Sequence, residues 1–358
     1  MLNFLMRRFG IIISLCLLSL FAASVRAELV WTPGDGWRIE GGALSGLVGA
    51  DARNALDMMN RARAAEEAGN EGAALRIYKR VSRDYPNSLY SPEAYFRTGH
   101  IRLSRKQYYK AFEAFQTVMT RYPNNARFQE VLGEQYQIAT TLMDGARNHM
   151  WGVVPTFRSK ERAISFFEWV VQNAPYSDYS PLALMNIARA HQKLKNTPYA
   201  IDALDRLINN YPQSLLAPDA YLQLAHTHAT LVDGPNYDQE ATIEAITYFE
   251  DFMILFPEDG GLAAAQQGLD EMRTVLAESK MVLADYYFNK IKNYQGARVF
   301  YNEAITTYPN SPIAERARER LALVNEISPP LPETDEDDES PLATQPEQPK
   351  RKKFLGIF

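Results

Sequence analysis

A cluster built around proline recurs six times in this 358-residue chain and constrains the fold more than any other feature. An aromatic residue or an alanine precedes each proline, and two mostly polar residues follow it. Proline lacks an amide hydrogen and restricts the residue before it, so each cluster predicts the end of a helix. The prolines, spaced 37, 52, 37, 45 and 52 residues apart, are Pro86, Pro123, Pro175, Pro212, Pro257 and Pro309.

An alanine lies twelve residues before each proline, and a bulky residue follows that alanine by four positions. Residues four apart share one face of a helix. The alanine therefore lets a second helix approach closely, while the bulky side chain fills the groove between them. The six pairs are Ala74 and Tyr78, Ala111 and Phe115, Ala163 and Phe167, Ala200 and Leu204, Ala245 and Phe249, and Ala297 and Tyr301.

The partner helix of each pair is also visible in the sequence. Tyr95, Gly99, Ala111, Phe115 and Pro123 occupy the large, small, small, aromatic and proline positions of the tetratricopeptide motif. The same spacing recurs in Leu184, Ala188, Ala200, Leu204 and Pro212. The pattern predicts an all-α tetratricopeptide-type helical-hairpin solenoid of about six repeats over residues 51–327. A non-repetitive helical bundle is the alternative, and it would require these matches to be coincidental.

The repeat pattern predicts thirteen helices, separated by turns at the prolines and at glycine-containing loops such as Asp144-Gly145 and Asp233-Gly234-Pro235. Residues 262–291 have no breaker after Gly268, so we expect one long helix there. The predicted helices lie near 51–68, 71–84, 92–104, 108–121, 127–143, 159–173, 181–194, 197–210, 218–231, 239–255, 262–291, 295–307 and 312–326.

Residues 1–27 have the pattern of a cleaved signal peptide. Arg7 and Arg8 precede an apolar run of 15 residues, and Val25-Arg26-Ala27 resembles a cleavage site. A membrane-spanning helix needs about 20 apolar residues, so a retained anchor is the weaker interpretation. Cys16, the only cysteine, follows the large Leu15, which argues against a lipoprotein signal. We expect cleavage after Ala27, export without lipidation at Cys16, and no thiol chemistry.

Charge and motif content argue against several function classes. The formal net charge of −5 becomes −8 without residues 1–27, which argues against nucleic-acid binding. His226 and His228 are two residues apart on a predicted helix and face different ways, so they cannot share a metal. None of the common hydrolase, zinc, phosphate-binding or calcium motifs is present. We therefore predict no catalytic residues, no metal site, no cofactor and no enzyme activity.

The two ends differ from the repeats. Residues 28–50 are rich in glycine and contain Trp31 and Trp37, so we expect an extended segment packed against the first repeat. We expect residues 328–358 to be a disordered acidic and proline-containing linker with a basic and apolar end. Cations and large apolar groups together suggest contact with the inner leaflet of a membrane or with a partner protein, and a tail without a role is the alternative. The contact residues would be Lys350, Arg351, Lys352, Lys353, Phe354 and Phe358.

Binding by a solenoid of this type uses the concave wall formed by the first helix of each repeat. Polar side chains at those positions would bind the carbonyl groups and the terminal carboxylate of an extended peptide. Ordinary solvated helix faces are the alternative. The candidate peptide-binding residues are Arg97, His100, Asn186, Arg189, Lys193, Gln223 and His226. Trp151, in the loop after Gly145, is expected to cover a small core of its own insertion, with a contact role as the alternative.

Residues 221–324 resemble the BamD family, whose members are tetratricopeptide components of the machinery that inserts β-barrel proteins into the bacterial outer membrane. The residues that carry the resemblance are the insertion 233–239, Tyr248-Phe249, Phe256-Pro257, Leu283-Ala284-Asp285-Tyr286-Tyr287, Gly296-Ala297 and Tyr308-Pro309-Asn310-Ser311. The chain departs from the family pattern in its cysteine context, its sixth repeat and its charged tail.

This resemblance implies a non-enzymatic periplasmic scaffold, peripheral at the outer membrane, that assists assembly of outer-membrane β-barrel proteins. The implied partners are unfolded precursors, the β-barrel insertase and its accessory subunits. A periplasmic tetratricopeptide adaptor that coordinates cell-wall or division proteins is the alternative.

Overall fold

The computed structural model describes residues 28–33, 35–40 and 50–329, and within them the chain forms thirteen α-helices and two short β-hairpins. The signal peptide predicted for residues 1–27 lies outside the described residues. The tail beyond Pro329 does so too. None of the described helices is long and apolar enough to cross a membrane.

The helices follow the repeat pattern closely, and most boundaries lie within two residues of the predicted ones. They are α1 (Ala50–Glu67), α2 (Glu71–Asp84), α3 (Tyr90–Ser104), α4 (Tyr108–Arg121), α5 (Phe128–Met143), α6 (Lys160–Asn173), α7 (Tyr179–Lys193), α8 (Thr197–Asn210), α9 (Ala217–Ala229), α10 (Glu240–Leu255), α11 (Leu262–Tyr286), α12 (Tyr294–Thr307) and α13 (Pro312–Ile327).

The fold is a tetratricopeptide-type helical-hairpin solenoid, as predicted. Odd-numbered helices from α1 to α11 are the first helices of the repeats, and even-numbered ones are the second helices. The six motif alanines and their six bulky partners all have no solvent exposure. A Cβ atom on Gly99 would lie 2.4 Å from the ring of Phe115, so this small position must be glycine for the two helices to approach as they do.

The proline clusters end the second helices and also join neighbouring repeats. The amide of Tyr85, which precedes Pro86, donates to the carbonyl of Val81 at 2.9 Å and closes the last turn of α2. The hydroxyl of Tyr122 donates to the carbonyl of Pro86 at 2.7 Å, and that of Tyr211 donates to the carbonyl of Pro175 at 2.5 Å. The tyrosine before the proline therefore has a second role, which is to bond the preceding repeat.

The long helix predicted for residues 262–291 is continuous only as far as Tyr286. A π-helical turn follows at Tyr287–Ile291, and Lys292 adopts a left-handed conformation with φ of 61°. The amide of Asn293 donates to the carbonyl of Tyr287 at 3.1 Å across this wider turn. Asn293 then caps α12 by accepting from the amide of Gly296. The cap that Asn293 provides for α12 therefore ends the long helix. This local effect is not visible in the apolar periodicity of the sequence.

The segment expected to be extended at residues 28–50 contains a two-stranded antiparallel hairpin. Strands β1 (Glu28–Thr32) and β2 (Gly36–Glu40) pair so that Trp31 lies opposite Trp37. Trp37 is buried, and its amide donates to Oδ1 of Asn60 on α1 at 2.7 Å. The hairpin therefore packs on the first repeat.

The insertion between α5 and α6 contains a second hairpin, in which β3 (His149–Met150) pairs with β4 (Val154–Pro155). The expectation that Trp151 covers a small core is wrong, because its side chain is 72% exposed at the tip of this hairpin. A two-residue strand pair has too few side chains to enclose an indole ring.

The chain divides into two compact units. The first consists of the described residues up to Leu231 together with Glu244–Leu269, and its hydrophobic core continues through α3–α9. The second consists of Val232–Ile243 and the described residues from Asp270 onward, with a core in which Ala297 and Tyr301 are central. All candidate peptide-binding residues belong to the first unit.

Candidate functional site

Side chains of the first unit join each first helix to the first helix of the next repeat. Arg97 on α3 lies 4.0 Å from Glu66 on α1, and His100 lies 3.9 Å from Glu134 on α5. The amide of Asn186 on α7 donates to the hydroxyl of Tyr136 on α5 at 3.0 Å. Gln192 on α7 donates to Thr227 on α9 at 3.0 Å. The candidate residues therefore lie along one series of neighbouring helices.

Arg97 is engaged in the structure. Its Nε donates to Glu93 at 2.9 Å, and its guanidinium lies 5.4 Å from the ring centre of Trp37. Glu93 is buried and also accepts from Nε of Arg127 at 2.8 Å. One buried carboxylate therefore engages two guanidinium groups at α3, so Arg97 already has a partner within the protein.

His100 packs edge-on against two phenylalanines of the core, with ring centres 4.4 Å from Phe96 and 5.6 Å from Phe115. Its remaining polar contact is with Glu134. Asn186 retains its amide oxygen for a ligand, since its amide nitrogen is the group that donates to Tyr136. His100 is therefore a packing residue in this structure. Asn186, in contrast, is a polar residue that Tyr136 holds in position, with its amide oxygen able to accept a hydrogen bond.

Arg189 and Lys193 form the exposed part of the candidate site. Both are exposed, and within residues 50–329 no hydrogen bond or ion pair engages their side chains. Leu182, Asn186, Arg189 and Lys193 are four, three and four residues apart, so they form one stripe along α7. We call these four residues the α7 stripe. It presents two cations to solvent next to an oriented amide.

Gln223 and His226 lie on α9, beside the C-terminal end of α7. The ring of His226 packs edge-on against Phe249 with ring centres 5.1 Å apart. A depression of about 420 Å³ next to it is lined by Gln192, Lys195, Thr197, His226, Thr227 and Thr230. Gln223 is half-buried and its carbonyl accepts from the hydroxyl of Thr227. Of the two predicted residues on α9, His226 therefore lines a polar depression, whereas Gln223 is not among its lining residues.

A larger groove that sequence reasoning missed begins at the other end of the α7 stripe. Its volume is about 690 Å³, and Leu182, Tyr176, Pro212 and Leu215 are among its lining residues. The side chains of Tyr176 and Leu215 are 99% and 97% exposed. Tyr176 directly follows Pro175, at a position that is polar in the other five proline clusters, and this departure from the repeat pattern was the available signal. We call this feature the apolar groove.

Burial perturbs the titratable groups behind this surface. His191 on α7 stacks on Tyr199 at 5.2 Å, and burial lowers its pKa, although Glu168 and Asp202 partly oppose the shift. On α9 burial likewise lowers the pKa of His228, which stacks on Tyr248. Burial, together with the nearby carboxylate of Asp205, raises the pKa of Tyr248 to about 12. Both imidazoles are therefore biased toward the neutral form.

The predicted contact residues Lys350, Arg351, Lys352, Lys353, Phe354 and Phe358 lie outside the described residues.

The fold and this surface define a helical-repeat binding protein, in which polar stripes and a groove lie on packed helical hairpins. The profile of the tetratricopeptide repeat matches at two places, residues 58–88 and 93–125. The profile of the YfiO family, described as outer membrane lipoprotein, matches residues 157–339, which is half of the chain. The chain belongs to this family. The family and the repeat fold are those of non-enzymatic proteins, which confirms the prediction that the chain is not an enzyme.

Curated relatives confirm the resemblance found in the sequence. The outer membrane protein assembly factor BamD of Caulobacter vibrioides is 27% identical over 133 residues, which cover 37% of this chain and 43% of the relative. BamD of Rickettsia prowazekii is 25% identical over 163 residues, which cover 45% of this chain and 64% of the relative. The chain thus matches less than two thirds of the length of either relative. Among solved structures, a crystal structure of MamA covers 62% of this chain and 97% of its own, with 18% identity and a TM-score of 0.32.

Proposed function

We propose that this chain is a non-enzymatic scaffold of the periplasm, peripheral at the outer membrane, that assists assembly of outer-membrane β-barrel proteins. It would bind unfolded precursors and the β-barrel insertase with its accessory subunits. Support comes from membership of an outer membrane lipoprotein family and from relatives that are named assembly factors. The observation that carries the proposal is the α7 stripe with its adjoining apolar groove, because both lie within the matched region.

The geometry suggests how an extended peptide would bind. An apolar or aromatic side chain of the peptide would enter the apolar groove beside Leu182 and Leu215. Backbone carbonyls or a terminal carboxylate would then accept from Asn186, Arg189 and Lys193 along the α7 stripe, and bonds to charged donors are the stronger ones. An unfolded precursor exposes both kinds of group, whereas a folded barrel pairs its backbone.

Charge reversal at Arg189 tests the stripe. Arg189→Glu should weaken binding of peptides taken from the C-termini of barrel proteins by about ten- to a hundredfold, because a hydrogen bond to a charged group contributes about 1.5–3 kcal/mol. Arg121→Glu is the matched control, since Arg121 is an exposed cation on the second helix α4. Both variants should retain the parent's helical circular dichroism. Equal peptide affinity for Arg189→Glu and the parent would assign Arg189 to an ordinary solvated face.

Photo-crosslinking tests the assembly role in cells. A photoreactive residue in place of the exposed Leu215 should capture β-barrel precursors or components of the insertase. The same residue at Arg121 provides the background. Capture of cell-wall or division proteins at Leu215 alone would favour the adaptor role and contradict the assembly role.

The predicted attachment through Lys350, Arg351, Lys352, Lys353, Phe354 and Phe358 is part of this proposal. Each cation near an anionic lipid surface contributes about 1 kcal/mol. Deleting residues 350–358 should move the protein from the membrane fraction to the soluble periplasm without changing its thermal unfolding. Unchanged sedimentation with outer membranes would contradict this assignment.

A further inference from the structure

The hairpin inserted between α5 and α6 presents a cluster of apolar side chains to water. Trp151 is 72% exposed and Phe157 is 94% exposed. Met150, Val153 and Val154 on the same hairpin are exposed as well. A monomeric soluble protein rarely exposes contiguous large apolar groups unless they form an interaction site. The cluster projects from the surface and is not a pocket. A ligand therefore has to enclose these side chains.

The backbone of the hairpin is bonded internally and anchored to the second repeat. The amide of Val153 donates to the carbonyl of Met150 at 3.2 Å, and that of Thr156 donates to Asn148 at 2.7 Å. The amide of His149 donates to the carbonyl of Lys106 at 2.8 Å, and Oδ1 of Asn148 accepts from Tyr109. Paired backbone groups are what an element needs in order to enter a lipid environment at low cost.

The turn at the tip keeps its tryptophan exposed at a conformational cost. Trp151 has φ of 53° and Gly152 has φ of 84°. A left-handed conformation is uncommon for a residue other than glycine, and such strain is found mainly at functional sites. A Cβ atom on Gly152 would lie 3.3 Å from Cβ of Arg105, so the turn rests closely on the end of α3. The tip is therefore fixed before any ligand arrives.

The hairpin segment itself carries only positive charges, although the exposed Asp144 and Glu161 border it directly. Residues 145–160 contain Arg147, Arg158 and Lys160 and no aspartate or glutamate. Arg147 and Arg158 are exposed, and so is Lys106, to which the hairpin is bonded. Aromatic groups flanked by cations are typical of proteins that enter the interface of an anionic bilayer. A convex apolar tip with a basic surround is complementary to such a surface in both shape and charge.

We propose that this hairpin is a membrane-contact element that inserts Trp151 and Phe157 into the interface of a bilayer containing anionic lipids. Lys106, Arg147 and Arg158 contact the headgroups. The ligand is a phospholipid surface, and the contact is separate from peptide binding at the α7 stripe. A failure of this proposal therefore leaves the proposed assembly function untouched, and the reverse also holds.

A local fluorescence probe tests insertion directly. The full chain with Cys16→Ser accepts an environment-sensitive nitrobenzoxadiazole label at Phe157→Cys. Vesicles of phosphatidylethanolamine and phosphatidylglycerol should shift its emission to shorter wavelength, and phosphatidylcholine vesicles should not. The control is the same label at Tyr176→Cys, which is equally exposed but lies on the apolar groove. A label at residue 157 whose emission does not change with anionic vesicles would overturn the proposal.

A partitioning series completes the test. With residues 350–358 deleted to remove a second membrane contact, Phe157→Asp and Trp151→Asp should each lower partitioning into anionic vesicles by about tenfold or more, given the transfer free energy of a large apolar side chain. Leu215→Asp should leave it unchanged. Equal partitioning of the hairpin variants and the parent would contradict the proposal. So would a shift of the residue-157 label produced by unfolded barrel precursors but not by vesicles, which would identify a protein-docking surface.

Discussion

Helices α3 and α7 occupy equivalent places in the second and fourth repeats, yet they present different chemistry. Every boundary of α3 and α4 recurs 89 residues later in α7 and α8. Around α3 the buried Glu93 holds Arg97 and Arg127. The equivalent residues around α7 are Leu182, Asn186 and Leu216, so one ionic cluster is replaced by apolar and amide groups.

The turns that flank these helices differ in the same sense. Asn87 and Ala126 of the second repeat correspond to Tyr176 and Leu215 of the fourth repeat. Tyr176 and Leu215 supply exposed walls of the apolar groove. The comparison teaches that the repeat backbone determines where side chains are placed on the surface. A few substitutions then decide whether those side chains are engaged in ion pairs with each other or are available to a ligand.

The largest effect should follow from giving α3 the residue that α7 carries. Glu93→Leu leaves two half-buried guanidinium groups without their shared partner. Breaking a buried pair costs about 3–5 kcal/mol, and Glu66 and Glu130 offer partial replacement, so we expect a loss of about 2–4 kcal/mol in the free energy of unfolding. Denaturant unfolding measures it.

A triple variant sharpens this result. Glu93→Leu combined with Arg97→Asn and Arg127→Leu copies the set found at α7 and should recover most of the loss, because apolar replacement of a complete buried cluster is often neutral. A triple variant as unstable as Glu93→Leu would show that the two helices are not interchangeable in packing.

Enlarging the small positions behind both helices should cost nearly the same in each repeat. Ala111 on α4 and Ala200 on α8 are equivalent and have no exposure. Ala111→Leu and Ala200→Leu should each lower the free energy of unfolding by about 1–3 kcal/mol, because the added bulk has no space between close-packed helices. Chemical denaturation with the two variants side by side measures the costs. An unchanged midpoint for either would mean that its alanine does not face a partner helix.

Removing the hydroxyls that join consecutive repeats should have a smaller effect. Tyr122→Phe and Tyr211→Phe each delete one hydrogen bond to a proline carbonyl, which contributes about 0.5–1.5 kcal/mol. We expect values at the lower end, because each bond is solvent-accessible. Thermal unfolding would detect the change, with Tyr176→Phe as a control for an exposed hydroxyl. A loss as large as that of Glu93→Leu would contradict our view of these bonds as minor contacts.

The smallest effect is a pH dependence that distinguishes α7 from α3. His191 occupies the place of Arg102, and burial lowers the pKa of His191 below the ordinary value of about 6.5. The unfolded chain therefore takes up a proton at a higher pH than the folded chain does, so the free energy of unfolding should fall as pH drops through about 6.5 toward the lowered pKa.

The variants His191→Gln and His228→Gln should each reduce this dependence of the free energy of unfolding on pH. Denaturant titrations between about pH 7.5 and 5.5, above the range in which carboxylates titrate, would show it. Identical slopes for parent and both variants would contradict the assignment.

The sequence by itself determined the repeat. Alanine, bulky residue and proline recur at fixed spacing, and each has a local physical reason, namely close approach, groove filling and helix termination. The helix boundaries and the buried pairs followed from that pattern. Arg189 and Lys193 were also accessible to sequence reasoning, because their place on a first helix is a matter of register alone.

Only the tertiary structure decided which candidate residues have partners. Glu93 reaches Arg127 across 34 residues of sequence, and Trp37 reaches Arg97 from a segment outside the repeats. Periodicity within one helix carries no information about such contacts, because they depend on how neighbouring helices and the N-terminal hairpin pack. The exposure of Trp151 was also decided by the tertiary structure. A tryptophan side chain favours burial, but it is buried only where the fold provides a surface for it to pack against.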